Sequence, residues 1–534
     1  MKLTAIKRRL VLLIVIGGTL YGSAKSYGDD SNTTIDILER AGIITHEQAE
    51  KARQLAGPPA PAAPSALPDE ARDKKIEDLE QEVGILKRQR EVDEEAKATA
   101  ALAPKPVKTS IGSWVNEMRW YGDIRLRLED FENPSDWTKS PGAPLNADQP
   151  DRIRYRVRLR LGVDMKVQDW ADFDVRLATG DSLSGSTFSG TSENTTFGNS
   201  FRKKAAVVDL AYVTIHPPAW DWFKASGGIV PQPYWNAVNI SPMFYKSEVT
   251  PQGLTEQLNH KFGDYQQFRV FANLGQFVIT EQAGSSSPAT PPSGPVIENE
   301  GADAYLFDSQ AGIGANLDPV PLKLTVAVGF FGTDNLGKTV PGDSASQGNS
   351  LNVNPNSPYN GAYLSDFHVL NGQGEVAWTI NPKPFLGTPP VLTLGGEFLK
   401  NASHAYENAP GGDYTEAWGA QAVFGQAKTK GQWQVGYEYK RLEANSTWDA
   451  IVDDNFSVGY GGRNAVPGNG TDIKGHIVNA TYNLFDWWQL SATAYLAERI
   501  SPLDVVNRPP FRSHPISPSG DLAARIIVDS TFKF

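Results

Sequence analysis

Residues 152–167 read RIRYRVRLRLGVDMKV, and their first ten positions alternate strictly between arginine and an apolar side chain. Successive side chains of a β-strand point to opposite faces, so a strand here has one cationic face and one apolar face. A helix would distribute both sets around its surface. The pattern therefore predicts a strand between an aqueous and an apolar compartment. The arginine row facing water consists of Arg152, Arg154, Arg156, Arg158 and Arg160.

The same alternation recurs from residue 118 to the C-terminus. Near its start, Arg125, Arg127 and Glu129 alternate with apolar residues, and residues 488–496 show the pattern again near the end. We count about sixteen candidate strands and few helices in this region. The fold class predicted for residues 118–534 is therefore all-β.

The connections between these strands alternate in length. Short turns, as at 168–170 and 486–487, are followed by long loops rich in Gly, Ser, Asn and Pro, as at 181–205 and 334–362. Short turns on one side and long loops on the other are typical of a transmembrane antiparallel β-barrel in the bacterial outer membrane. The apolar faces then contact lipid, and the arginine row faces a water-filled lumen.

The first 117 residues have a different composition. A basic start, a short apolar run and small residues before position 25 indicate a secretory signal, because the run is too short for a good membrane span. We expect the rest of this region to form a periplasmic extension. The predicted parts are a signal peptide at 1–24, a short helical segment at 25–56, a Pro/Ala-rich linker at 57–68, a charged helix at 69–102 and a second linker at 103–117.

The charged helix has apolar residues at heptad spacing. Ile76, Leu79, Val83 and Leu86 cover about two heptads, which is short for a coiled coil. Oligomerisation through these residues and a solvated single helix both remain open. Ile and Leu at these positions favour two strands in simple coiled coils.

The charges that we assign to the lumen have two interpretations. A cationic wall would favour anions, whereas acids on neighbouring strands could neutralise it. Asp172 and Asp174, on the next strand, are expected to pair with some arginines of the row. Inward cations modestly outnumber inward acids, and we therefore expect a weak preference for anions. The predicted pore-lining residues are Arg125, Arg127, the arginine row, Asp172, Asp174 and Arg176.

Two further segments are assigned roles in the barrel. Residues 232–249 either fold inward and set the bore or lie across the top. The last strand ends in Phe532 and Phe534, separated by one polar residue. This ending is similar to the signal that the barrel-assembly machinery reads.

Several other functions are disfavoured by the sequence. The chain contains no cysteine, its seven histidines show no ligand spacing, and its net charge is −11, which together predict no metal, no cofactor and no nucleic-acid partner. GDSL at 180–183 spells an esterase signature with Ser182 as nucleophile. However, the chain has no D-x-x-H to supply the base, so we do not expect an enzyme.

Three stretches resemble the putative outer-membrane porin family of Gram-negative bacteria, similar in plan to the phosphate-selective porins. They are the strand from residue 152 through RLATGD, the stretch DLAYVTIHPPAWDWFKASGGIVPQPYW, and SEVTPQGL. ERAGIITHEQAEK at 39–51 matches the N-terminal helical phrase of that family. The resemblance implies passive diffusion of small hydrophilic solutes or ions, and it suggests a homotrimer. The alternative is a barrel anchor or adhesin with a closed pore and binding loops.

Overall fold

The computed structural model describes residues 115–132, 152–180, 192–198, 200–201, 203–281, 303–338, 349–350, 362–381, 383–407, 413–456, 470–500 and 522–534. They belong to one compact unit, residues 100–534. Among them, no helix is both long enough and apolar enough to cross a bilayer. The predicted signal peptide, short helical segment, first linker and charged helix with Ile76, Leu79, Val83 and Leu86 lie outside the described residues, as do Ser182 and the second linker up to residue 114.

Nearly all regular structure in these ranges is β-strand. The exceptions are a short helix, α1 (His404–Glu407), and two 3-10 turns at Leu336–Lys338 and Asp454–Phe456. The strands are β1 (Val115–Glu132), β2 (Arg152–Val167), β3 (Ala171–Thr179), β4 (Thr195–Thr196), β5 (Ala206–Ile215), β6 (Phe223–Ile229), β7 (Gln252–Phe262), β8 (Phe268–Thr280), β9 (Ala304–Asn316), β10 (Leu322–Asp334), β11 (His368–Thr379), β12 (Val391–Asn401), β13 (Glu416–Gly425), β14 (Trp433–Leu442), β15 (Ile473–Phe485), β16 (Trp488–Arg499) and β17 (Ala523–Lys533).

These strands form one closed antiparallel sheet. β1 pairs with β2 on one side and with β17 on the other, which closes the barrel. β4 has two residues and pairs only with β2, while β3 pairs directly with β5. Sixteen strands therefore make the wall, as predicted. The first strand begins at Val115, not at residue 118.

The alternation of side chains fixes the register of the wall. On β1, Leu126 is 46% exposed on the outside, whereas the next residue, Arg127, is 7% exposed on the inside. A slip of one residue would turn every arginine of β2 toward lipid, at about 2–4 kcal/mol each near the bilayer midplane. The sequence pattern thus specifies which face is the lumen.

Aromatic side chains collect at the end of the barrel that carries the short turns. Phe485, Trp487, Trp488 and Phe532 stack on one another there, with ring centroids 5.3–6.3 Å apart. Amphipathic rings favour the interface between membrane and water. The stack also joins the turn between β15 and β16 to the end of β17.

Candidate functional site

The connection between β6 and β7, residues 230–251, lies inside the barrel; we call it the inward segment. Val230, Ala237, Met243 and Phe244 in it are fully buried. Its backbone bonds to side chains near the middle of β9, β11 and β13, so it lies within the wall's height. Of the two predicted arrangements for residues 232–249, the inward fold is the one found.

Polar side chains from β9, β11, β13 and β14 hold the inward segment. The segment contains no strand or helix, so its backbone N–H and C=O groups need other partners. A glutamine side chain can serve both, since it carries a donor and an acceptor. Gln310 Oε1 accepts from Trp235 N (2.9 Å) and its Nε2 donates to Trp235 O (2.8 Å); Gln373 Oε1 accepts from Ala237 N (2.7 Å); Gln421 Nε2 donates to Ala237 O (2.7 Å) and its Oε1 accepts from Asn239 N (3.0 Å); Glu438 Oε2 accepts from Ser241 N (3.0 Å).

Glycine on the wall permits this close approach. A Cβ at Gly395 of β12 would lie 2.1 Å from Ala237 O, and one at Gly329 of β10 would lie 1.6 Å from Tyr234 Oη. Side chains at these two positions would push the segment toward the pore axis. Small residues on the polar face of these strands therefore make room for the segment.

A second connection, residues 443–456 after β14, also supports the inward segment. Its Ile451 carbonyl oxygen accepts a hydrogen bond of 2.8 Å from the backbone N–H of Lys246 in the inward segment. Ser241 Oγ donates to Asp453 Oδ2 at 2.6 Å, and Lys440 Nζ donates to Ser241 O at 2.8 Å. The inward segment is thus fixed along its length by the wall and by a second loop.

The predicted arginines lie on β1, β2 and β3 and point into the lumen. Glu129 of β1, whose side chain is fully buried, is the centre of one group: it contacts Arg156 at 3.4 Å, Arg127 at 3.5 Å and Arg525 at 3.3 Å, and it also pairs with Arg154. Arg127 further binds Asp529 through two bonds of 2.7 and 2.8 Å. One carboxylate therefore pairs with several guanidinium groups.

A second group surrounds Asp123 and two acids from connections. Arg158 and Arg160 bind Asp123 at 2.8 and 2.6 Å. Glu193 lies 3.1 Å from Arg158. Glu248 of the inward segment binds Arg125 at 2.9 Å, and so the segment and the arginine wall are in direct contact. We call both groups together the arginine cluster: Arg125, Arg127, Arg154, Arg156, Arg158, Arg160, Arg176 and Arg525 with Asp123, Glu129, Glu193, Asp209, Glu248 and Asp529.

A comparison with protein families identifies the chain. Residues 32–354 match the model of the family described as "Putative porin", which is more than half of the sequence. The chain belongs to this family. It is thus an outer-membrane porin, as the sequence resemblance indicated. None of the curated protein sequences matches it significantly.

Three solved structures illustrate what this porin is similar to. OprB of Pseudomonas putida is 12% identical, with 78% of this chain and 94% of that chain covered and a TM-score of 0.42. The channel DcaP of Acinetobacter baumannii is 12% identical, with coverages of 81% and 100% and a TM-score of 0.40. OmpT of Vibrio cholerae, in its trimer form, is 13% identical, with coverages of 78% and 99% and a TM-score of 0.37.

The expected pairing of Asp172 and Asp174 with the arginine row is wrong. In the register of β2 and β3, Asp174 lies opposite Asp164, and Asp172 lies opposite Lys166. Asp172 contacts His216 Nε2 at 3.0 Å, and Asp174 accepts hydrogen bonds of 2.7 and 2.9 Å from Tyr121 Oη. Arg152, at the start of β2, lies opposite Phe131. The two aspartates sit too close to the short turn to reach the row.

The acids that do neutralise the arginines could be found only in part from sequence. Asp123 precedes Arg125 by two positions in an alternating strand, so its inward direction follows from the period of two. Glu193 and Glu248 lie in irregular connections, where no periodicity marks a direction. Only the folded arrangement brings these two glutamates to the wall.

Glu193 and Glu248 respond differently to this environment. Burial and the negative charge of Glu248 raise the pKa of Glu193, and Arg160 and Arg158 compensate only in part. Burial also acts to raise the pKa of Glu248, but Arg125, Lys246, Arg127 and Arg158 together lower it to about 2. Glu193 is therefore the first of this pair to take up a proton as the pH falls.

Proposed function

We propose that this porin allows passive diffusion of small hydrophilic solutes through a lumen that the inward segment narrows. The observation that carries the proposal is the series of bonds from Gln310, Gln373, Gln421 and Glu438 to the backbone of that segment at mid-height. A segment held along one wall leaves the rest of the bore to water. A sixteen-strand barrel is wide enough for an aqueous channel.

We also propose a weak preference for anions. The arginine cluster has eight guanidinium groups and six carboxylates, which supports a small excess of positive charge at the narrowed level. Most of these arginines are buried and paired, and that limits the excess field. Among the arginines of the cluster, Arg160 has the most exposed side chain, at 23%, and therefore has the most contact with the water of the lumen.

The test of both proposals is single-channel recording with the full-length protein in a salt gradient. Stepwise conductance with a reversal potential on the anion side is expected. Arg160→Gln should shift this potential toward cations, because it removes one positive charge beside the bore. The control is Arg119→Gln. Arg119 pairs with Asp164 at 2.9 Å in the lumen near the short turns, and its replacement should shift the reversal potential less. A folded protein without conductance would favour a closed barrel that serves as an anchor or adhesin.

We further propose that the extension at residues 25–114, which precedes β1, lies in the periplasm, that the outer-membrane lipid and the barrel-assembly machinery are partners, and that three copies assemble. Assembly through Ile76, Leu79, Val83 and Leu86 predicts that Leu79→Asp lowers the mass of the native complex in detergent. A complex whose mass does not change would assign assembly to the barrel wall.

A further inference from the structure

A recess of about 690 Å³ lies in the lumen wall on the short-turn side of the inward segment. Residues of β6, β7 and β8 line the recess on the wall side, and Pro233 and Trp235 line it on the side of the inward segment. It is separate from the arginine cluster, which lies on β1, β2, β3 and β17 with acids from β5 and the connections. A solute that has passed the narrowed level meets this recess on its way to the short-turn end.

The cations of the recess differ from those of the arginine cluster in their partners among the described residues. Lys224, Lys261 and Arg269 line it, and none of the three forms an ion pair with a described residue. Asp221, in the turn before β6, also lines the recess. Cations that have no carboxylate partner are available to an anion from the lumen.

The strand register shows that these groups face one another. Lys224 of β6 lies opposite Gln257 of β7, which lies opposite Asn273 of β8. Four residues nearer the turn and on the same face, Lys261 lies opposite Arg269, with Asn259 opposite Phe271 between these two rows. Directly paired residues of an antiparallel sheet point to the same side. Cations, carboxamides and an aromatic ring therefore share one small area of the lumen surface.

Two aromatic rings give the recess an apolar side. Trp235 meets Phe271 edge to face, with centroids 6.2 Å apart, and the guanidinium carbon of Arg269 lies 4.6 Å from the centre of the Phe271 ring. The backbone of Trp235 is held by Gln310 and by Gln373, which donates to Trp235 O at 2.7 Å. The rings are thus held in place without a ligand, which lowers the entropy cost of binding.

We propose that this recess is a binding subsite for aromatic carboxylates during their passage through the lumen. The carboxylate would pair with Arg269, Lys261 and Lys224, and the ring of the solute would pack on Trp235 and Phe271. The inference rests on the proposed diffusion function, because a subsite in the lumen serves only solutes that enter it. Its open, hydrated position gives weak binding, as release from a channel requires.

The test uses benzoate, with acetate as the anion that lacks a ring. In single-channel recordings of the full-length protein, benzoate should interrupt the KCl current at concentrations where acetate does not. In Arg269→Gln, the half-blocking concentration should rise about tenfold, as expected for the loss of a charge-assisted hydrogen bond. Trp235→Leu should weaken the benzoate effect and leave the acetate response unchanged.

The matched control is Lys428→Gln. Lys428 lies at the same end of the barrel but lines a different recess with Glu375 and no aromatic ring. Equal block by benzoate and acetate, or equal losses in Lys428→Gln and Arg269→Gln, would overturn the proposal. Ligand-observed NMR can measure benzoate binding to the detergent-solubilised protein and to Arg269→Gln. This measurement tests the subsite independently of conductance. Binding that is equal in the two proteins refutes the subsite, whereas a protein that does not conduct KCl refutes the diffusion function.

Discussion

Glu129→Gln tests the idea that a buried carboxylate holds the arginine wall together. The side chain of Glu129 is 0% exposed, and nitrogens of Arg127, Arg156 and Arg525 lie 3.3–3.5 Å from its oxygens. Glutamine keeps the shape but removes the charge. The guanidinium groups of Arg156 and Arg525 would then lose the charge of Glu129 in a site that water scarcely reaches, while Arg127 keeps Asp529 as a partner.

The size of the effect follows from burial. Removing one partner of a buried ion pair costs about 3–5 kcal/mol, because the remaining charge stays desolvated. Arg127 retains its two bonds to Asp529, which places the expected loss toward the lower end, about 3 kcal/mol. The free energy of unfolding can be measured by urea titration in lipid vesicles with tryptophan fluorescence.

The control is Glu416→Gln on β13. Glu416 pairs with Lys400 at 3.2 Å, and the two side chains are 53% and 30% exposed. An exposed pair contributes about 0–1 kcal/mol, so this variant should unfold almost as the parent does. A loss in Glu129→Gln no larger than that of Glu416→Gln would refute the reasoning.

Three further predictions concern the bore and assembly. Gln421→Leu removes the bonds to Ala237 O and Asn239 N, which should loosen the inward segment and raise single-channel conductance; Gln434→Leu, at a lumen glutamine without such bonds, should not. Because the pKa of Glu193 is raised, Glu193 should take up a proton before Glu248 as the pH is lowered, which should move the reversal potential toward anions; the shift should vanish in Glu193→Gln. Deleting Phe534 should lower the amount of assembled barrel in outer-membrane fractions, since its backbone closes β17 onto Gly122 with bonds of 2.9 and 3.1 Å, whereas Phe534→Tyr should assemble normally.

The strand pattern predicted much of the architecture because every second residue of a membrane-spanning strand contacts lipid and must be apolar. Strand number, antiparallel order and the inward direction of the arginine row follow from the period of two and from the alternation of short turns and long loops. The same physics placed Arg127 inside and Leu126 outside without any knowledge of tertiary contacts. These features are local, and a single sequence carries them.

The contacts of the arginines could not be predicted in the same way. Which acid meets Arg158 depends on strand register and on the course of two irregular connections. Asp174 was expected beside the row by sequence proximity, yet its register position is opposite Asp164. Glu248 reaches Arg125 from a segment 123 positions away, which no periodicity indicates. Long-range pairing between irregular segments and strands is a property of the closed barrel.

The recess beneath Trp235 shows another limit of sequence analysis. Lys224, Lys261 and Arg269 lie on three strands, and Trp235 lies in a connection that looks like an ordinary loop. Their proximity follows from register and from the inward fold of the segment. Polar residues at the short-turn end of β6, β7 and β8 were a visible signal, but nothing in the sequence joined them to an aromatic residue.

The central claim is that the lumen is open beside the inward segment. Single-channel recording of the full-length protein in a planar bilayer, under a KCl gradient, tests it most directly. We expect discrete conductance steps, a reversal potential on the anion side, and larger steps for Gln421→Leu than for Gln434→Leu. If both variants are fully folded barrels, as judged by a change in gel mobility on heating, and neither produces conductance steps, the result would contradict the account.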